Sequence, residues 1–265
     1  MPSLNITLVS GPPGAGKTTW IRQQISSAAE TAVYLNLGSG NTPNDFRRAC
    51  AIDPTYLAAE VAGLTVLPVE QLTDFLAHPL AGSAVYVELG FHIDLTSLIL
   101  PDQMADCQRV AVLPPGTRHT EWHGWADLVV TGVETGAVLS QPHLWRSVLS
   151  GQVLDLASLN TFWYELTHGA YGTVQRAKGI FDVADGRSLH FDFVTGLAEA
   201  TYLELNLPRW LNGRPDRFSG IEVVGEALEQ EAIAQTIKEC CLNDQAIAYY
   251  QQQIKDSLDP GDEVA

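Results

Sequence analysis

Residues Gly11-Pro12-Pro13-Gly14-Ala15-Gly16-Lys17-Thr18 fit the pattern G-x-x-x-x-G-K-[ST], a loop that holds a phosphate chain when it joins a strand to a helix. The chemistry explains both the residue types and their spacing. A phosphate chain is wrapped by backbone N–H groups, which requires glycine wherever a Cβ would block the approach or forbid the dihedral; Gly11, Gly14 and Gly16 meet that need. A helix opening at the end of the loop aims its first amides at the same anion. Lys17 then reaches the β- and γ-phosphates, the Thr18 hydroxyl is placed to ligate Mg2+, and Ala15 and Thr19 complete the loop contacts. The pattern predicts a Mg-nucleoside triphosphate, GTP or ATP, as ligand.

Such a metal site calls for an acid at the end of a neighbouring buried strand. The run Ala84-Val85-Tyr86-Val87-Glu88-Leu89-Gly90 supplies Glu88, and Asp94 follows six residues on. Either can hold a metal-bound water or orient the attacking one, and either can instead cap a turn or helix. The candidates for catalysis are therefore Lys17, Glu88 and Asp94, and those for the metal are Thr18 and Glu88. His92, between the two acids, is a candidate for contact with a phosphate or for a structural role.

The remaining constellations read as structure. His119-Thr120-Glu121-Trp122-His123 spaces two imidazoles four apart, yet Pro114-Pro115-Gly116 and Gly124 flank it and predict a loop. Cys240-Cys241 falls on an apolar helical face, which predicts buried, inert thiols. Phe162-Trp163-Tyr164 and Tyr171 read as core or interface.

The elements that must position the loop follow from apolar patterning. Short, continuously apolar runs at Asn5–Ser10, Thr31–Leu37, Leu64–Val69, Ala84–Leu89, Arg109–Leu113 and Asp127–Val130 predict strands buried on both faces. Helical patterns at Thr18–Ser27, Val69–Leu76 and Leu95–Met104 lie between them, the βαβ rhythm of a parallel, doubly wound sheet. The rhythm breaks near residue 145. Beyond it, Val174–Val183 and Ser188–Val194 flank the turn Asp185-Gly186, Glu199–Asn206 alternates again, and Gly225–Cys241 carries a helical face; together they predict an antiparallel meander closed by a helix.

Composition limits the function classes. With 31 acidic against 15 basic residues the chain carries a net charge of −16, which repels phosphate backbones and argues against nucleic-acid partners. Apolar residues make up 46% of the chain, too many for disorder, yet no run approaches the roughly 18 apolar residues that span a bilayer. The N-terminus runs into an apolar strand without a basic segment or cleavage site, and the four cysteines are scattered apart from one adjacent pair. A cytoplasmic protein with free thiols is expected, without a secretion signal or membrane association.

Several of these pieces together resemble the CobW-like P-loop GTPases, nucleotide-dependent metal chaperones and cobalamin-synthesis accessory proteins. Glu88-Leu89-Gly90-Phe91-His92-Ile93-Asp94 is similar to the family's E-T-S-G-x-x-D segment, with the glycine one place early. Arg176-Ala177-Lys178-Gly179 resembles its R-x-K-G strand, and Ile221–Gly225 with the helix after it resembles its closing strand and helix. There are also departures. The G-C-x-C-C metal motif meets Gly63-Leu64-Thr65-Val66-Leu67 with no thiol, N-E-F-G meets Leu35-Asn36-Leu37-Gly38, and the guanine-reading N-K-x-D meets Thr131-Gly132-Val133-Glu134, where only Glu134 can imitate the aspartate. Without thiolates the soft ligands for Zn2+ are gone, and without N-K-x-D the choice of base is open.

The resemblance implies an α/β P-loop NTPase domain with a mostly parallel sheet over residues 1–150 and a smaller CobW C-terminal-like α+β domain over 151–256, while the turn-forming, acidic run Asp259-Pro260-Gly261-Asp262-Glu263 predicts a disordered tail over 257–265. It implies a weak NTPase whose nucleotide state controls a protein partner or accessory process. The alternatives are a non-hydrolysing scaffold of the same descent and a metal chaperone with relocated ligands such as His119 and His123.

Overall fold

The apolar runs of the first half become parallel strands because each is short, continuous and covered on both faces. In the computed structural model, which describes residues 5–27, 31–38, 51–80, 82–136, 141–198 and 202–258, they are β1 (Asn5–Ser10), β2 (Ala32–Leu37), β3 (Thr65–Val66), β4 (Ala84–Leu89), β5 (Gln108–Leu113) and β6 (Leu128–Thr131). All neighbours pair parallel in the order β3-β2-β4-β1-β5-β6. Helices α1 (Lys17–Ser27), α2 (Ile52–Glu60), α3 (Leu72–Ala77) and α4 (Glu121–Trp125) occupy the connections. One face buries Leu8, Val33, Leu35, Val85 and Val87; the other buries Val9, Tyr34, Val110 and Val112 against Ile21 and Ile25 of α1. The chain leaves β1 for β2 on one side and β4 for β5 on the other, so the carboxyl ends of β1 and β4 flank the point where the winding reverses. That crevice is where open α/β sheets bind ligands.

The second half forms an antiparallel sheet in the order β10-β9-β8-β11-β7, built from β7 (His143–Val148), β8 (Thr173–Asp182), β9 (Ser188–Val194), β10 (Leu203–Glu204) and β11 (Gly220–Glu226). Asp185-Gly186 makes the turn between β8 and β9, and the Asp185 carboxylate accepts the Arg187 N–H at 3.1 Å. Helices α5 (Leu156–Thr167) and α6 (Gln230–Glu239) pack one face with Leu159, Phe162, Leu166, Ile233 and Ile237. Asp155 caps α5 by accepting the Ser158 N–H at 2.8 Å. The chain therefore has the expected two-part architecture, an α/β P-loop-type domain with a parallel sheet followed by an α+β domain with an antiparallel one.

Four local readings change. Leu95–Met104 is not a helix: Asp94 engages Thr96 and Ser97 in a turn, and Pro101 is extended, leaving one short 3-10 turn at Asp102–Met104. His119–His123 is not simply a loop, since Thr120 caps the five-residue α4. The division between the two units lies at Gly136/Ala137, ahead of residue 150, because His143–Val148 pairs with β11 and belongs to the second sheet. A further helix, α7 (Asp244–Leu258), follows α6, with Asn243 accepting the Ala246 N–H at 2.9 Å; it takes in the first two residues of the segment read as a tail. Residues 259–265, Cys50 and residues 199–201 lie outside the described residues.

Candidate functional site

The loop between β1 and α1 is shaped by close backbone contacts. Gly11 has φ +148°, and a Cβ there would sit 2.2 Å from the Val112 carbonyl oxygen on β5. No other residue fits. Gly14 and Gly16 also have positive φ, and Ala15 is fully buried. The segment after β6 presses on the loop from the side: the Val133 N–H donates to the Ala15 carbonyl at 3.0 Å, and a Cβ on Gly132 would lie 2.1 Å from that oxygen. The stretch at the N-K-x-D position thus meets the loop through backbone, with Val133 facing Gly16 and Glu134 exposed. From the other side, the Trp122 indole N–H donates to Ser10 at 3.2 Å, fixing the strand end where the loop begins.

Lys17 opens α1 and is buried, its ammonium donating to the carbonyls of Gly11 at 2.9 Å and Pro12 at 3.1 Å. The side chain folds back over the loop and spans it. Thr18, next along α1, donates to the Glu88 carboxylate, with Oε1 at 3.1 Å and Oε2 at 3.0 Å. Glu88 is 5% exposed near the end of β4, beside Val9 of β1 and Asn36 of β2. Of the other residues read from the motif, Thr19 is exposed on α1. Asp94 is exposed and accepts bonds from the Thr96 backbone and from the Thr96 and Ser97 hydroxyls, Thr96 above all holding its carboxyl below the usual range. His92 is exposed, its ring against Phe91 and over Gly38 and Gly90.

A hydroxyl and a carboxylate meeting at about 3 Å beside a glycine loop form a hard oxygen donor set of the kind Mg2+ accepts. Gly11 and Gly16 let the loop backbone pass close to Val112 and Val133, where a Cβ would intrude. Both observations fit a Mg-bound phosphate chain. Elsewhere, His123 Nδ1 is bonded to Thr120, and no group of three or more His, Cys, Asp or Glu comes together among the described residues. Cys240 is buried and its thiol is pushed up to about 11 by burial and by the charge of neighbouring groups. The open groove lined by Arg22, Gln23, Ser26, Ser27 and Glu60 shares no residue with the loop.

Sequence reasoning missed a polar cluster behind Glu88. Tyr34, fully buried on β2, donates to Glu88 Oε2 at 2.9 Å; Asn36 donates to the Tyr34 oxygen at 3.2 Å and lies 3.5 Å from Asp53 of α2. Burial, then the charges of Glu88 and Asp53, push the Tyr34 phenol well above its ordinary value. The signal for this cluster is the i, i+2 spacing of Tyr34 and Asn36, which puts both on the face of Glu88.

Residues 147–241 match the family described as the cobalamin synthesis protein cobW C-terminal domain. No curated protein is similar enough to match. Two solved structures are similar at low identity. The Zn(II)-bound YjiA GTPase from E. coli is 14% identical over 91% of this chain and 99% of that one, with a TM-score of 0.32; a Zn(II)-bound triple mutant of the YjiA GTPase is 15% identical, with the same coverage and TM-score. The matched stretch contains Arg176-Ala177-Lys178-Gly179 and the closing strand and helix, so the match to the cobW C-terminal domain family falls on the second unit, behind the α/β domain that carries the glycine loop.

Proposed function

We propose that this chain binds a Mg-nucleoside triphosphate, GTP or ATP, hydrolyses it slowly, and uses the nucleotide state to control a partner or accessory process. The observation that supports this reading best is the Thr18–Glu88 pair beside a loop spanned by Lys17. In the proposed complex Lys17 exchanges the Gly11 and Pro12 carbonyls for the β- and γ-phosphates, and the loop amides take the remaining oxygens. Thr18 turns its lone pairs outward while its hydroxyl goes on donating to Glu88. When bound, Mg2+ neutralises charge on the β- and γ-oxygens.

Of the two acids, the geometry favours Glu88, because Asp94 is committed to its own turn. Both Glu88 oxygens accept hydroxyl protons, which suits a carboxylate that fixes Thr18 and a metal-bound water. Hydrolysis then relies on positioning and electrostatics during in-line attack by water, with little covalent help from the protein. The stretch Thr131-Gly132-Val133-Glu134 lacks the Asn-Lys-x-Asp that reads guanine, which leaves both GTP and ATP as ligands. The acidic surface fits solubility and partner selection.

Steady-state phosphate release from GTP and ATP tests the enzymatic part of this reading. Slow turnover that disappears in Lys17→Ala is expected. Nucleotide binding without any turnover favours the scaffold alternative instead.

A further inference from the structure

We propose that Tyr34 is a positioning residue of the metal site, aligning Glu88 so that Thr18 is presented to the cation. This inference rests on the Mg-nucleotide reading above and assigns a role to a residue outside the loop and strand-end motifs. It follows from the direction of the hydrogen bonds. Asp53 in its carboxylate form can only accept, so the Asn36 amide nitrogen faces it; the same nitrogen lies 3.2 Å from the Tyr34 oxygen and donates to it. With that lone pair occupied, the phenol proton points to Glu88 Oε2 at 2.9 Å.

Glu88 therefore receives one proton from β2 and one from α1, and both bonds run toward the carboxylate. With donors on two different elements, the carboxylate cannot turn about its last torsion without losing one of these bonds. The Thr18 proton is thereby directed inward and its lone pairs outward. Tyr34 is fully buried on β2, between β3 and β4, so packing fixes the ring that carries the donor.

The test is Tyr34→Phe, which keeps the ring and removes the hydroxyl. Fluorescence titration with N-methylanthraniloyl-GTP is run on the full chain in EDTA and at stepped Mg2+ concentrations. The expected result is EDTA affinity within about twofold of the parent and a half-saturating Mg2+ concentration about tenfold higher, as for loss of one bond to a charged group. A packing role would instead move the metal-free affinity and the thermal midpoint together and leave Mg2+ half-saturation in place, and that result overturns the proposal.

If Tyr34→Phe does not fold, Asn36→Leu serves as the second variant. It frees the phenol proton to turn away from Glu88 and should raise Mg2+ half-saturation about threefold, an unchanged value counting against the proposal. Failure of the parent chain to bind the nucleotide at all overturns the Mg-nucleotide reading and this inference with it, whereas parent-like Mg2+ dependence in the variants overturns only the role of Tyr34.

Discussion

Each unit buries a glutamate on a central strand, and the two are held in different ways. Glu222 of β11 meets Arg146 of β7 at 2.7 Å and Lys178 of β8 at 3.2 Å, all three side chains between 10% and 13% exposed. Glu88 of β4 instead accepts the hydroxyl protons of Thr18 and Tyr34. Two cations hold Glu222 and tie three strands together; two hydroxyls orient Glu88. The first arrangement is a staple inside the sheet. The second aims a carboxylate at the start of α1 beside the glycine loop, a hard oxygen donor of the kind that Mg2+ accepts.

Breaking the staple should have the largest effect on stability. Glu222→Gln removes the buried negative charge between Arg146 and Lys178, at a cost of about 3–5 kcal/mol in chemical denaturation of the second unit. The same contrast can be sharpened with acid. Burial opposes ionisation of Glu222, but Lys178 and Arg146 outweigh it and lower its pKa from 4.5 to about 2. A depressed folded-state pKa contributes stability that is fully present above the unfolded value and is lost as pH falls from about 4.5 toward 2. Integrated over that window the loss is on the order of 3 kcal/mol. Unfolding curves recorded from pH 5 to pH 2 should show this slope in the parent and not in Glu222→Gln.

The smallest effect belongs to the acid outside both clusters. Asp94→Ala removes bonds to Thr96 and Ser97 in an exposed turn, so Mg-nucleotide affinity should change by less than about twofold, as for most surface substitutions. A larger loss by calorimetry would return Asp94 to the metal site.

What could be read in the sequence was set by distance along the chain. The phosphate loop is eight consecutive residues whose spacing reflects backbone geometry, and Gly11 stands where the Val112 carbonyl leaves no room for a Cβ. The strands were legible from apolar runs, and the turn between β8 and β9 from Asp185-Gly186. Leu95–Met104 misled because Leu95, Leu98 and Ile99 stand at the i, i+3, i+4 spacing of a helix, whereas Pro101 disfavours helix in the residue before it and leaves only a 3-10 turn at Asp102–Met104. The polar cluster was hidden because β2 supplies two of its members and α2, β4 and α1 one each, and partners 17 to 70 apart in sequence meet only when the sheet forms. Nothing in an apolar run such as Ala32–Leu35 marks Tyr34 as more than core until Asn36 and Glu88 are seen to share its face.

The central claim is that Gly11–Thr18 holds a Mg-bound nucleoside triphosphate. Titration calorimetry of the full chain and of Lys17→Ala with Mg-GTP and Mg-ATP tests it most directly. The account predicts binding by the parent, with the two nucleotides within about tenfold of each other, and no measurable binding by Lys17→Ala. Equal affinity of the parent and the variant for either nucleotide would contradict it.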